Sequence, residues 1–442
     1  MKNSILPFIC LFICSNVIAQ KSFSIDEAIS YATSNNIDYK NALLDLEIAD
    51  QRVAESVSSG LPKIKGSFGF QNYIDIPVTV IPASVFNSQA DPNDFQEAQF
   101  GTSINSTAGI RLDQLIFSAT YIAGLKAAKV YRVLTEKLTQ KSLLDTKEKV
   151  IAAYYSCLIF EESKRNLSLS LENLNTIQSE TSILVKEGLI EAINEDQINL
   201  LYISMENQIA QLDLQTKNAI SVLKYVIGYP QDSILTLSEK LSSIENTFLN
   251  LENLQVSVEE LLDYQILNQN RALSLLTHKM NTVSSIPSIS GFFSHQQNAL
   301  RNEFNLLSSE QPWYPTTFWG INVSIPIFTS GESLSITKQS KLNLKKAENT
   351  LAMVKEGLIQ QMSQATKEYS IAKIALENDL ENLSLSKKIL SNTSTKFKEG
   401  LKSGLELAQA QNQEVSAQNK LTQSKFNLLL AKLQLEKLMN KL

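Results

Sequence analysis

The sequence predicts a mainly α-helical chain with a smaller β part suited to a membrane, and three observations lead there. The chain repeats its own motifs at an offset of roughly 210 residues, far longer than a solenoid period. Only 14 Gly and 10 Pro occur among its 442 residues, and they gather in a few places, which leaves long helix-period stretches unbroken. Between those stretches the apolar period drops to 2, as it does where a helix gives way to a two-faced strand.

The N-terminus sets the compartment. Met1-Lys2, an apolar run from Ile5 to Ile13 and Val17-Ile18-Ala19 read as a signal peptide over 1–19, cut before Gln20. The run is shorter than the roughly 20 residues of a spanning helix. Cys10 and Cys14 each follow a bulky Ile, unlike a lipoprotein cysteine after a small residue. Cys157 is then alone in the mature chain, so no intramolecular disulfide forms and packing and association hold the fold.

The mature chain reads as one structural plan used twice. The first repeat, 20–230, opens with Ser24-Ile25-Asp26-Glu27, a capping-box pattern. It continues as a helix over 24–59, a β-hairpin over 64–117, a long helix over 119–186, a turn near Gly188 and a helix over 191–228. The second repeat, 257–442, begins with the similar Ser257-Val258-Glu259-Glu260. Its helix over 257–283 leads to a hairpin over 287–328, a long helix over 331–398, a turn near Gly400 and a helix over 403–440. Lys186-Glu187-Gly188-Leu189 recurs as Lys398-Glu399-Gly400-Leu401, and Leu61-Pro62-Lys63-Ile64 matches Ile286-Pro287-Ser288-Ile289. Residues 231–256 fit neither copy and form a linker, with a small collar as their expected structure.

At about 1.5 Å per residue the two longest helices each approach roughly 100 Å. Leu421, Leu428, Leu435 and Leu442 recur every seven residues, and Ile209, Leu212, Ala219, Leu223 and Val226 form the matching stripe in the first repeat. A buried helix face accounts for any one stripe. Two copies on such long helices favour an antiparallel coiled-coil body.

The strands carry the membrane signal. Over 64–80, Ile64, Phe68, Phe70, Ile74, Ile76, Val78 and Val80 share one face against Lys65, Ser67, Gln71, Asp75 and Thr79; segments 100–117 and 319–327 alternate likewise, and 287–295 more weakly. A sheet on a soluble core alternates too, but membrane strands need about 9 to 11 residues, a length three of the four reach. Trp313, Tyr314, Phe318 and Trp319 form either an aromatic girdle or a core cluster. Four strands cannot close a barrel, and open edges are costly in lipid. Several subunits must share one barrel, and three chains would supply twelve strands.

Other chemistry finds little support. A net charge of −5 without a basic block points away from nucleic acid. His278 and His295 lack metal-ligand spacing, Cys157 lies on an apolar-rich helix, and no Gly-rich phosphate loop occurs. No catalytic, cofactor-binding or metal-binding residue is assigned, no cofactor is expected, and the chain is not expected to be an enzyme.

These residues in this order resemble the TolC family of outer-membrane efflux proteins over essentially the whole mature chain. The likeness rests on the duplicated order, Leu61-Pro62 and Ile286-Pro287 entering strands, Ser324-Ile325-Pro326-Ile327-Phe328 through Gly331 leaving one, and a Gly-centred turn in each half. It implies a homotrimer whose long helices form a periplasmic α-barrel and whose four strands per chain complete a twelve-stranded outer-membrane β-barrel. Such a channel-tunnel is the exit duct of a tripartite efflux or type I secretion system of a Gram-negative bacterium. It docks a periplasmic adaptor that couples it to an inner-membrane RND or ABC transporter. The resemblance places adaptor contact at Gly188, Leu189, Gly400, Leu401 and Ser403. It places a periplasmic gate at Asn194, Phe397, Lys402, Glu406 and Gln409, with links between coils and rings of carboxylates. The chain departs from the family pattern in three places: Phe397 lacks a phenolic hydroxyl, Asn194 replaces an acidic partner and Gln409 removes one acidic ring. Lys402 keeps a charge without the bidentate fork of Arg. The alternative is a non-transport periplasmic coiled-coil scaffold or envelope tether, which has no use for hairpins of lipid-spanning length.

Overall fold

The structure, a computed structural model, describes residues 21–86, 88–89, 91, 93–242, 257–306, 308 and 310–442. The signal segment and the linker residues 243–256 lie outside the described residues. In chain order the elements are β1 (Lys21–Phe23), α1 (Ile25–Asn35), α2 (Ile37–Ser58), β2 (Lys63–Asn72), β3 (Val78–Pro82), β4 (Phe95–Gln99), β5 (Ile104–Phe117), α3 (Ala119–Lys186), α4 (Ala192–Ile227), β6 (Leu235–Leu237), α5 (Leu262–Thr282), β7 (Ser288–Arg301), β8 (Tyr314–Ser324), α6 (Glu332–Lys398) and α7 (Gly404–Leu438). They fall into two compact units, one drawn from the described residues of 21–46, 135–242, 257–267 and 351–442 and the other from those of 47–134 and 268–350.

The first unit is helical, and apolar stripes on its helices make its cores. Val150, Tyr154 and Leu158 of α3 pack with Leu223 and Ile227 of α4 and Leu429 and Leu433 of α7. Ala365 and Tyr369 of α6 meet Leu428 and Leu435 of α7 in a further core. Of the first-repeat heptad stripe, Ala219 and Leu223 are buried outright, which the long helices require to stay associated. At the start of the mature chain, β1 pairs in parallel with β6, and the buried Tyr154 hydroxyl donates to the Phe23 carbonyl at 2.8 Å.

The expected single helix over 24–59 is two helices. Asn36 interrupts it: its backbone is extended, its Oδ1 accepts from Tyr39 N at 3.0 Å to restart the helix, and its Nδ2 donates to the Val226 carbonyl at 2.8 Å. A side chain that caps locally while bonding another helix overrides helix propensity. Likewise 257–283 begins as a 3-10 turn at Val258–Glu260, and α5 starts only at Leu262.

The second unit holds one antiparallel sheet in the order β2-β5-β7-β8. Two expectations need correction. The strand over 64–80 stops at Asn72, and Val78–Pro82 pairs instead with Phe95–Gln99 in a separate two-stranded sheet. The weak strand over 287–295 is a full 14-residue strand, β7, paired on both sides, so ladder hydrogen bonds carry its polar residues Gln296, Gln297 and Asn298. The last strand ends at Ser324, before Pro326, whose ring nitrogen has no hydrogen to donate. Among the described residues no helix is long and apolar enough to cross a membrane.

Candidate functional site: helical tip and sheet faces

Both hairpin turns of the helical unit end on a left-handed glycine. Gly188 has φ +70° and Gly400 φ +75°, a conformation that costs side-chain-bearing residues energy. Leu189 N donates to Leu184 O at 2.9 Å and Leu401 N to Lys396 O at 2.8 Å, so each turn closes its helix with the six-residue bond of a Schellman cap. The turns leave Leu189 and Leu401 about 70% exposed. Two apolar side chains held in solvent on rigid turns suit contact with another protein.

After the second turn, Ser403 and Glu406 form the reciprocal capping box that starts α7: Glu406 N donates to Ser403 Oγ at 3.3 Å and Ser403 N to Glu406 Oε2 at 3.0 Å. Lys402 pairs with the same carboxylate. Lys402 first, then the Ser403 N–H, hold the Glu406 carboxyl below the usual carboxylate range. Glu406 is thus committed to its own helix terminus.

Asn194 crosses between the hairpins. Its Oδ1 accepts from Gly404 N at 2.7 Å, and its Nδ2 donates to Glu191 O at 3.1 Å. Glycine suits the close approach there, since a Cβ on residue 404 would lie 3.0 Å from both Asn194 O and Asn194 Oδ1 and Asn194 would have to shift. Phe397 does not face solvent. It is 3% exposed, in a core with Leu174, Ile198 and Leu407 that draws on all four helices of the tip. Gln409 is exposed.

Sequence reasoning missed three residues here. Gly404 reads as an ordinary helix-start residue, although its offset of 210 residues from Asn194 follows the repeat. Lys398 Nζ meets Glu180 at 2.9 Å between α6 and α3. Glu414, 5% exposed on α7, accepts from Ser170 Oγ at 3.5 Å, and burial raises its carboxyl above the usual range, opposed by Lys387 and by that hydrogen bond. Charged residues in an apolar stripe were the only available signal for Glu414.

In the sheet unit, residues paired across strands share a face. One face carries Ile64, Phe68, Leu112, Phe293, Trp319 and Ile321; the other carries Lys65, Arg111, Ser294, Asn298 and Thr316. Trp319 is 75% exposed on the apolar face, so no core of this chain covers it. Within the described residues the outer edges of β2 and β8 have no partner strand.

Residues 278–441 match the family model described as outer membrane efflux protein. A search of curated protein sequences gives no match. Solved structures match across 94% of the chain: the outer membrane protein VceC from Vibrio cholerae at 12% identity over 96% of that chain, with a TM-score of 0.73; the CmeC outer membrane channel of Campylobacter jejuni at 16% over 85%, TM-score 0.73; and the open state of the MtrE outer membrane channel of Neisseria gonorrhoeae at 15% over 88%, TM-score 0.74. The chain has the fold of these channels.

Proposed function

We infer, for a chain whose residues 278–441 match the family model described as outer membrane efflux protein and whose fold is that of the outer-membrane channels above, that it is one subunit of a trimeric exit duct. The observation that carries this reading is the four-stranded sheet with an uncovered apolar face and two open edges. In lipid each unpaired backbone group costs several kcal/mol, so the edges must meet those of other copies. Three such sheets give an even, twelve-stranded barrel within the known range. The apolar face then meets lipid in the outer membrane and the polar face lines water.

The helical unit extends the duct through the periplasm. Its exposed turns at Gly188-Leu189 and Gly400-Leu401, beside Ser403, dock the adaptor, which links the duct to an inner-membrane RND or ABC transporter of an efflux or type I secretion system. Conduction is passive, and its energy comes from that transporter. At the gate, Asn194 ties the hairpins together, Lys402 and Glu406 shape the start of α7, and Gln409 contributes no charge. A scaffold or tether would leave the lipid-length apolar face unexplained.

The test is the native mass of the full mature chain extracted from outer membranes in mild detergent. A stable trimer is expected. A monomer that stays soluble without detergent would make the four strands a soluble sheet and refute the duct.

A further inference from the structure

The polar face of the sheet is not evenly charged. At the end nearest α2 and α3 the register sets Lys65 directly across from Arg111 and Lys63 across from Asp113, all on the polar face. That face therefore carries three basic residues and one acid in β2 and β5, while β7 and β8 present uncharged residues such as Ser294, Gln296 and Thr316 to it. Arg111 takes up the single acid: its Nε lies 2.9 Å from Asp113 Oδ1, and its guanidinium stacks 4.4 Å over the Phe292 ring. Neither Lys63 nor Lys65 forms an ion pair with a described residue, and both are exposed.

Part of this arrangement works against the sheet. Like charges directly opposite on neighbouring strands destabilise a sheet, and Lys65 faces Arg111 in that way. Asp113 offsets part of the Arg111 charge and Phe292 holds the guanidinium in place, so the three cations and one acid leave this end of the face net positive. An anion passing over this face would offset it. The acids of the β3–β4 excursion, Asp75, Asp91, Asp94 and Glu97, enter the chain beyond the opposite end of β2. They follow Asn72, the far end of β2, and at about 3.4 Å per residue that end is roughly 24 Å from Lys65, against a Debye length of about 8 Å at physiological salt.

We propose that Lys63, Lys65 and Arg111 form a positive belt in the barrel lumen that selects anionic cargo, small molecules bearing carboxylate, sulfate or phosphate groups, over cations. This rests on the duct reading, since only a shared barrel turns the polar face into a lumen and repeats the belt in each subunit. Low-dielectric walls focus such a field and raise the local concentration of the opposite ion.

The experiment uses the purified full-length trimer in planar bilayers of phosphatidylcholine under a potassium chloride gradient. The Lys63→Gln/Lys65→Gln variant leaves the Arg111–Asp113–Phe292 cluster intact, and Lys65→Gln alone removes only the repulsive pair, so it should fold if the double variant does not. The chloride-to-potassium permeability ratio is expected to fall about twofold or more in the variants. Pyrophosphate should reduce the current of the parent and affect the variants less. Variants that conduct with an unchanged ratio and unchanged pyrophosphate sensitivity would overturn the belt while leaving the duct standing. A parent that gives only a monomer soluble without detergent would overturn the duct and the belt with it.

Discussion

Replacing Asn194 by Ala tests the link between the two hairpins at the tip. In the parent, Asn194 Oδ1 accepts from Gly404 N at 2.7 Å, satisfying one of the amide donors that a helix start leaves without an intrahelical partner. The second bond, from Nδ2 to Glu191 O, is exposed, and water can replace it. Gly404 is buried, so removing its acceptor loses the net value of the bond and part of the cost of an unpaired amide, together about 1–2 kcal/mol. That corresponds to a factor of roughly 5–30 in the equilibrium between docked and separated hairpins. Hydrogen exchange of the peptide containing Gly404 should accelerate by that factor, and channels in bilayers should open more often. Gly404→Ala should act alike from the other side, because its Cβ would press on Asn194 at 3.0 Å. Asn194→Asp keeps an acceptor beside the positive end of α7 and should retain protection. Unchanged exchange at Gly404 in Asn194→Ala would show that this bond does not hold the tip.

Gly400→Trp forces a side chain onto φ +75°, at about 1–2 kcal/mol of local strain, in a place where an added Cβ meets no described residue within 4 Å beyond its own chain neighbours; native electrophoresis should still show trimers while export is lost, and normal export would remove Gly400 from the adaptor contact. The Glu406 carboxyl is depressed by Lys402 and the Ser403 N–H, so its cap is fully present above the ordinary carboxylate value and is lost as pH falls through the depressed one. Protection factors at 403–406, corrected for the intrinsic pH dependence of exchange, should fall on acidification in the parent and be low at every pH in Glu406→Ala; the same profile in both would refute the cap. Buried Glu414 has the opposite sign: its raised value makes ionisation a penalty at neutral and higher pH that is relieved as pH falls through that value. Glu414→Gln keeps an acceptor for Ser170 and should raise thermal stability at pH 8 with a gap that closes on acidification, whereas lower stability at pH 8 would contradict burial as the cause.

The long helices were legible because apolar spacing near 3.6 ran on to the turn glycines Gly188 and Gly400, past the single glycines Gly124 and Gly357 inside them. The structure runs α3 over Ala119–Lys186 and α6 over Glu332–Lys398. What stayed hidden depended on distant partners. The break at Asn36 answers to Val226, 190 residues away, and the pairing of β1 with β6 joins segments too short to show a period. The alternation over 64–80 could not reveal its interruption, because Val78 and Val80 keep the same parity as Ile64 and Phe68 while pairing with a different strand. At the tip, motif spacing located Asn194 and Glu406 without saying which atoms they would engage. Gly404 carried no signal of its own, since its role is the absence of a side chain against Asn194.

Phe397 changes what closing the tip must mean in this chain. The family resemblance implies charged links between coils, yet Lys402 and Glu406 belong to one helix start and so add nothing between the hairpins. Among the described residues at the tip, the polar links from one hairpin to the other include the neutral Asn194–Gly404 bond, the buried Ser170–Glu414 bond and the half-exposed Lys398–Glu180 pair. An exposed ion pair contributes about 0–1 kcal/mol and is screened by salt. Burying one Phe side chain is worth about 1.5–3 kcal/mol, and Phe397 is 3% exposed against residues of both hairpins. The apolar contact therefore outweighs the ionic one. On the proposed duct reading, a tip held in this way should be nearly indifferent to ionic strength, and an adaptor opening it would have to offset lost apolar burial, for which the exposed Leu189 and Leu401 at the turns offer a replacement surface. Raising salt from 0.1 to about 1 M, where the Debye length drops to roughly 3 Å, should leave the closed fraction unchanged, while Phe397→Ala should open the tip at either salt concentration. Channels that open on salt alone would return the gate to its ion pairs.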